Sequence, residues 1–341
     1  MQISAKSAFD AEKLRFPVFV FRAAENICFT YPKSTGIIGT IRKNTGGRLR
    51  GKEPAGKDAT MNKQYALPMT AALGGAAAFV LRLLQNQTGF EPDTGLPIPG
   101  SLAAYALLAL LAVLAVLLAA FTRFLPGEED PVYPFPVENS GLLTLPVLGI
   151  FAIAFSGAAD LADCFHLLPE DMIFSQYALY GVLREGGLGF SAGGQAILGV
   201  LSLLSAGVLF WALLACRREN IQPPSNALLL PVLTLVIRVV LTYRIDSVNP
   251  SLQLYYMELL ALVFLTLGFY RLSSYAFQAG DTRRFALYTG AAAVLSTASL
   301  ADGSAYLSSL LLYAGGTLTL LGFLLVRLSV PEPEDPNPFI P

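Results

Sequence analysis

From residue 65 onward, long apolar runs alternate with short polar connections. A helix needs about 20 mostly apolar residues to cross the hydrocarbon core of a bilayer, and eight runs are of roughly that length. The pattern therefore predicts an all-α fold, a polytopic membrane helix bundle of about eight transmembrane helices. The predicted spans are 65–86, 101–122, 142–160, 194–216, 226–244, 252–271, 284–301 and 305–328.

Two spans stand out by their side chains. The second is almost pure alanine and leucine, which is typical of a helix that faces lipid. The seventh is short and rich in glycine, alanine, serine and threonine, so we expect other helices to surround it, because small residues permit close backbone approach. The glycine pairs Gly74 with Gly75 and Gly315 with Gly316 predict close packing of the first and eighth spans for the same reason.

The composition supports a membrane protein and excludes several other classes. Charged residues make up 14% of the chain and hydrophobic residues 54%, whereas soluble domains average about 25% charged residues. The net charge of −1 argues against a nucleic-acid partner, which would require a basic surface. With three scattered cysteines and one histidine, we expect no metal site of the Cys/His type and no cofactor.

Positive charges at the span ends predict the orientation. If the spans alternate, eight basic residues fall on one side and four on the other. Cytoplasmic loops carry the excess of lysine and arginine, so both termini should be cytoplasmic in a bacterial plasma membrane. The larger group is Lys63, Arg123, Arg217, Arg218, Arg271, Arg283, Arg284 and Arg327, and the smaller is Arg82, Arg184, Arg238 and Arg244.

The chain divides into three segments. Residues 1–60 lack a sustained helical or alternating pattern, and all seven lysines lie within the first 63 residues. We interpret 1–60 as a disordered or spurious extension, with translation starting at Met61; a flexible basic tail that binds anionic lipid is the alternative. The transmembrane domain is then 61–328. Residues 329–341, rich in proline and acids, should form a disordered cytoplasmic tail.

Charges inside the spans are the first candidates for function, because each costs about 2.5–3.5 kcal/mol at the bilayer centre on insertion scales. Arg238 and Glu258 lie at matching depth in sequential spans, which predicts a buried ion pair. Arg82 lies just inside the first span. It could bind a ligand, or it could anchor the helix by reaching the lipid head groups.

A second group of polar residues closes the third span. Asp160, Asp163 and His166 follow one another at three-residue spacing, so the two aspartates share a helical face and could bind a hard cation or relay protons. Alternatively, they mark the helix end in water. The candidate ligand-binding residues are Arg82, Asp160, Asp163, His166, Arg238, Glu258 and Asp302.

The longest external loop should be 161–193. Its apolar and aromatic stretch 172–183 is too short to span, so we expect an interfacial segment that could cover the polar group.

An internal repeat is a further hypothesis. The segment 156–163, at the end of the third span, is similar to 296–302 at the end of the seventh. Pro68 and Arg82 in the first span correspond to Pro231 and Arg238 in the fifth. Four spans per half would form two parallel repeats about an axis along the membrane normal. Coincidence among abundant alanine, serine and leucine is the alternative.

Several short strings in the later spans carry a resemblance. Leu-Thr-Tyr-Arg at 241–244, Asn-Pro at 249–250, Tyr-Met-Glu-Leu-Leu at 256–260 and Leu-Ala-Asp-Gly at 300–303 together resemble uncharacterised multipass membrane proteins of anaerobic Gram-positive bacteria. The resemblance covers about 61–328. It implies the eight-span topology and no activity, because the family comes with none assigned.

No catalytic motif is present: the sequence lacks HExxH, a phosphate-binding glycine loop, GxSxG and a zinc-spaced cysteine set. We expect an integral membrane protein that binds or transports a small ligand or ion through an outward-facing polar cluster. Two alternatives stay open: a non-catalytic scaffold or sensor subunit, and a membrane-embedded enzyme acting on lipid, which only Asp160, Asp163 and His166 would support. The expected partners are membrane lipids and other membrane or cytoplasmic subunits.

Overall fold

Eight α-helices make up most of the chain that the structure, a computed structural model, describes. The described residues are 66–91, 96–125, 135, 140–173, 183–184, 187–188, 192–217, 225–246, 252–303 and 307–329. The helices are α1 (Ala66–Thr88), α2 (Leu102–Thr122), α3 (Thr144–Ile173), α4 (Ala192–Arg217), α5 (Leu230–Asp246), α6 (Leu252–Ala276), α7 (Thr282–Ser299) and α8 (Leu307–Ser329).

Short elements adjoin the helices. Single 3-10 turns precede α3 and α5 (Ser140–Leu143 and Ser225–Leu229), and a third, Leu300–Asp302, follows α7. Two two-residue strands, β1 (Leu183–Arg184) and β2 (Gly187–Leu188), pair in antiparallel fashion between α3 and α4.

The predicted helical membrane bundle is confirmed. Within the described residues, seven helices are long and apolar enough to cross a membrane by themselves; α7 is the exception. Two thirds of α7 is buried, and it packs against α1, α6 and α8. A helix enclosed by other helices does not have to be apolar toward lipid, so its small and polar residues are tolerated, as predicted for the seventh span.

The helix α2, in contrast to the enclosed α7, is mostly exposed. Of its 21 residues, only Leu107, Leu114 and Leu118 are buried, and these pack toward α1 and α7. Most of the rest of its alanine and leucine surface is exposed to the surroundings of the bundle, which are lipid for a membrane protein. The prediction of a lipid-facing second span is therefore confirmed.

Glycines set the closest helix contacts, as their pairing predicted. A Cβ on Gly75 of α1 would lie 3.0 Å from the hydroxyl of Thr297 on α7. Where α3 crosses α8, a Cβ on Gly149 would lie 2.6 Å from the carbonyl oxygen of Gly315. The crossing at Gly149 leaves no room for a larger residue, and the contact at Gly75 is tight, so the backbones approach more closely than larger side chains would allow.

All helices alternate in direction, so α1, α3, α5 and α7 end where α2, α4, α6 and α8 begin. We call this side the Thr88 end. Contacts along the bundle show the alternation: Gly149 faces Gly315 and Ser156 faces Ser308, so α3 and α8 are antiparallel. The Thr88 end is the one for which the arginine bias predicts the outer face.

The predicted loop beginning at Leu161 is wrong, because α3 continues to Ile173. Cys164 and Leu167 pack against Ala192 at the start of α4, and this burial extends the helix beyond the apolar run. The predicted interfacial segment 172–183 lies mostly outside the described residues, as do the extension 1–60, Met61 and the tail from 330 onward.

The packing of the two halves differs in one respect. Helix α6 packs extensively along α7, whereas their counterparts in the proposed repeat, α2 and α3, share no comparable interface among the described residues. The internal repeat stays a prediction from sequence similarity.

Candidate functional site

A fully buried ion pair joins α5 to α3 near the Thr88 end. Nη1 of Arg238 donates to Oδ2 of Asp160 at 3.0 Å, and both side chains are 0% exposed. Nη2 of the same guanidinium donates to the hydroxyls of Ser308 and Ser309 at 3.2 and 3.1 Å. The arginine therefore connects α5 with the start of α8 as well, and its charge is matched by one carboxylate.

A second pair lies between α1 and the turn after α7. Nε of Arg82 donates to Oδ1 of Asp302 at 2.5 Å, and the arginine is 1% exposed. Its Nη1 donates to Oε1 of Gln85 at 2.9 Å. Asn86 also donates to Oδ1 of Asp302, at 3.1 Å, and to a backbone carbonyl of the same turn. These contacts fix the end of α1 against the end of α7.

The local sequence explains the position of Asp302. Gly303 adopts a left-handed conformation with φ of 59°, which glycine reaches without steric cost and which commonly ends a helix. The chain turns there, and the Asp302 side chain stays beside α1.

A third carboxyl group, that of Glu258 on α6, is hydrogen-bonded to a hydroxyl group and not to a basic side chain. The Tyr313 hydroxyl on α8 donates to Oε1 of Glu258 at 2.5 Å. The charges of Arg238 and Asp302 both act on Glu258, and those of Arg82 and Asp302 act on the neighbouring Tyr256. The two pairs and Glu258 thus form one electrostatically connected set. We call it the charged cluster: Arg82, Asp160, Arg238, Glu258, Asp302 and Tyr313.

The predicted pair between Arg238 and Glu258 is wrong. Arg238 binds Asp160 of α3, and Glu258 binds Tyr313 of α8. The prediction rested on depth alone, and depth does not determine the direction in which a side chain leaves its helix. The alternative of Arg82 as a head-group anchor is also wrong, since its guanidinium is buried and paired with Asp302.

The group at the end of the third span does not act as a unit. Asp160 is buried and paired with Arg238, Asp163 is half-buried, and His166 is exposed. The alternative that these residues mark a helix end in water fails for Asp160. No set of three or more potential metal-binding side chains occurs among the described residues. The structure thus brings together Arg82, Asp160, Arg238, Glu258 and Asp302, and leaves His166 apart.

Sequence reasoning missed Gln195 on α4. It is 0% exposed, and neither atom of its amide has a hydrogen-bond partner in the described part of the chain. Gly157 of α3 contacts Gly199 of α4; at 1.5 Å per residue, Asp160 lies about 4.5 Å and Gln195 about 6 Å beyond that contact, toward the Thr88 end. Gln195 is thus level with Asp160, whose Oδ1 also lacks a partner.

Other contributors, Ser308, Ser309 and Tyr313, were missed as well. Their signal in the sequence is weak: hydroxyl residues are tolerated in any span. Polar residues of α8 near the predicted depth of Arg238 would have been the clue.

A pocket lies one turn from Arg238, toward the middle of the bundle. Its walls are mainly apolar and include Ile153, Leu235 and Phe269. The two hydroxyls that reach it, from Ser205 and Thr234, hydrogen-bond to each other at 2.8 Å. The pocket therefore offers little to a charged ligand, and the polar chemistry lies in the charged cluster.

No family model, curated protein or solved structure matches the chain. The apolar helix bundle identifies it as an integral, multi-pass membrane protein.

Proposed function

We propose that the protein binds a small cation at the charged cluster and transports it across the bacterial plasma membrane. In this proposal the Thr88 end faces outward and both termini are cytoplasmic, as the arginine distribution indicates. The cluster would lie in the outer half of the bilayer.

The observation that carries the proposal is the composition of the cluster. It contains two arginines and three carboxyl groups, contributed by α1, α3, α5, α6 and the turn after α7. Ionisable residues inside a membrane are costly and usually mark ion pathways or proton relays. The two arginines pair with two of the carboxyl groups, and the third, Glu258, is in excess, which favours a cation.

The contacts of the charged cluster could also couple ion binding to a movement of helices. Each pair connects helices that are distant in sequence, and the charges of the pairs reach Glu258. Gain or loss of one positive charge at the cluster therefore changes the electrostatic energy of contacts on several helices at once. This is the requirement for coupling ion binding to a change in helix packing.

The test is ion flux in liposomes. Purified protein, reconstituted in liposomes, is exposed to imposed gradients of H⁺, Na⁺, K⁺ and Ca²⁺, each read by an internal dye. The wild type should carry one of these ions faster than empty liposomes, and Asp302→Asn should slow it. Arg123→Leu, at an exposed position outside the cluster, is the matched control. Folded wild-type protein that carries none of the four ions would overturn the proposal.

A scaffold or sensor subunit is the second candidate, and a specific observation favours it. Both arginines of the cluster have a carboxylate partner, and the described pocket near them is apolar. If the cluster only fixes helix positions, substitutions in it should lower stability without changing ion flux. A lipid-modifying enzyme has no comparable support, because Asp160 and His166 do not converge.

A further inference from the structure

We propose that Glu258 is the proton-binding residue of the charged cluster, with the hydroxyl of Tyr313 as its hydrogen-bond donor. This inference rests on the proposed function and deepens it: it names the cation as a proton and the carboxyl group that holds it.

The first step is the charge balance around Glu258. Arg82 is matched by Asp302 and Arg238 by Asp160, and no basic side chain in the described part of the chain forms an ion pair with Glu258. Its hydrogen-bond partner, Tyr313, is a neutral hydroxyl that is itself 1% exposed. A carboxylate without a compensating charge is costly in a low-dielectric interior, and such a group neutralises itself by taking up a proton.

The second step concerns the kind of cation. Ca²⁺ takes six to eight oxygen ligands and Mg²⁺ requires near-octahedral coordination. Glu258 and Tyr313 supply a carboxyl group and one hydroxyl, and the described residues contain no set of three side chains that could hold a metal. One carboxyl oxygen is sufficient for a proton. The step is a simple protonation: the carboxylate oxygen takes a proton from a hydronium ion, so one O–H bond forms, one O–H bond of the hydronium breaks, and a water molecule is left.

The third step is access. Glu258 lies six residues after the first residue of α6, so it is about 9 Å along the helix from the Thr88 end. Its side chain is half-buried, whereas Asp160 and Arg238 are fully buried. Of the two carboxyl groups on which the charge of Arg238 acts, Glu258 is therefore the less enclosed, and we assign to it the exchange of the proton with water at the Thr88 end.

The fourth step links the proton to helix contacts. When Glu258 is protonated, Arg238 is shared by Asp160, Ser308 and Ser309. When Glu258 is ionised, its carboxylate competes with Asp160 for the same guanidinium, whose charge already reaches it. The groups that act on Glu258 are Tyr313 on α8, Arg238 on α5 and Asp302 after α7. Arg238 in turn binds Asp160 on α3 and Ser308 and Ser309 on α8.

Infrared spectroscopy tests the assignment, because a protonated carboxyl group has its own C=O stretching band. Purified wild-type protein in detergent at neutral pH should show such a band, and raising the pH should remove it. Glu258→Gln should abolish the band, whereas Glu91→Gln, at an exposed position, should leave it unchanged. Tyr313→Phe should shift the band to higher frequency, because the carbonyl loses its hydrogen bond.

Two results would overturn the inference. The band could persist in Glu258→Gln, which would assign the proton to a different carboxyl group. It could also vanish when Na⁺ or K⁺ is added at constant pH, which would show a metal cation at the site.

The flux and infrared experiments test the two proposals independently, so the failure of one can be distinguished from the failure of the other. A Glu258 band without ion flux would contradict transport and leave the proton site intact. Flux of an ion other than H⁺, with no band from Glu258, would support transport and contradict the proton site. With both correct, Glu258→Gln should abolish H⁺ flux while Glu91→Gln retains it.

Discussion

Nη1 of Arg238 lies 3.0 Å from Oδ2 of Asp160, and both side chains are excluded from solvent. The pair joins α5 to α3, two helices that are not consecutive in the chain and that are separated by α4. A buried pair is not in itself strongly stabilising, because taking two charges out of water costs nearly as much as their attraction returns. Removing one partner is different, since it leaves the other charge uncompensated.

Substitution of this pair should therefore be strongly coupled. We expect Arg238→Leu and Asp160→Leu each to lower the free energy of unfolding by about 3–5 kcal/mol. The double variant should lose less than the sum of the two, because it removes both charges. Thermal and denaturant unfolding in detergent measure these values, with Arg123→Leu as an arginine control at an exposed site. Additive effects would mean that the two residues do not interact.

The crossing of α3 and α8 predicts opposite effects for two glycine substitutions. A Cβ at Gly149 would lie 2.6 Å from the carbonyl oxygen of Gly315, whereas at Gly207 of α4 nothing lies within 4 Å. We expect Gly149→Ala to destabilise by about 1–3 kcal/mol through overpacking, and Gly207→Ala to stabilise by about 0.5–1 kcal/mol because alanine favours the helix. Unfolding in detergent measures both effects. Equal changes in stability for the two variants would show that α3 and α8 pack less closely at Gly149 than described.

Reporter fusions test the topology. Fusions after Arg123, Arg218, Arg284 and the C-terminus should report cytoplasm, and fusions near Arg184 and Pro250 should report the outside, because the basic residues concentrate on one side. The helix α7 is the critical case, since by composition it would not cross a membrane alone. A cytoplasmic signal at Arg184 would contradict the eight-span arrangement.

The change of composition near residue 60 predicts a native start at Met61. Mass spectrometry of the protein expressed from its own promoter should find no peptide from residues 1–60. Inserting a stop codon before Met61 should leave the amount of protein unchanged. Detection of a tryptic peptide ending at Lys33 would refute the late start.

Within the part of the chain that the structure describes, the sequence alone determined the number of helices and, within a few residues, most of their bounds. In lipid every backbone polar group must be bonded within its own helix, so the length of each apolar run decides whether a helix forms and spans. The predicted span 226–244 corresponds to the described Ser225–Ile245, and 305–328 to Leu307–Ser329. Side-chain size likewise indicated that α2 would face lipid and that α7 would be enclosed.

The tertiary structure alone decided which charges meet. Position along a helix gives depth at 1.5 Å per residue, and on that basis Arg238 matched Glu258. The partner also depends on which helices are neighbours and on the rotation of each about its axis, and both follow from packing contacts such as Gly157 against Gly199. In the packed bundle Asp160 lies beside Arg238, and Glu258 is hydrogen-bonded to Tyr313. Close packing determines the rotation of each helix about its axis, and hydropathy does not.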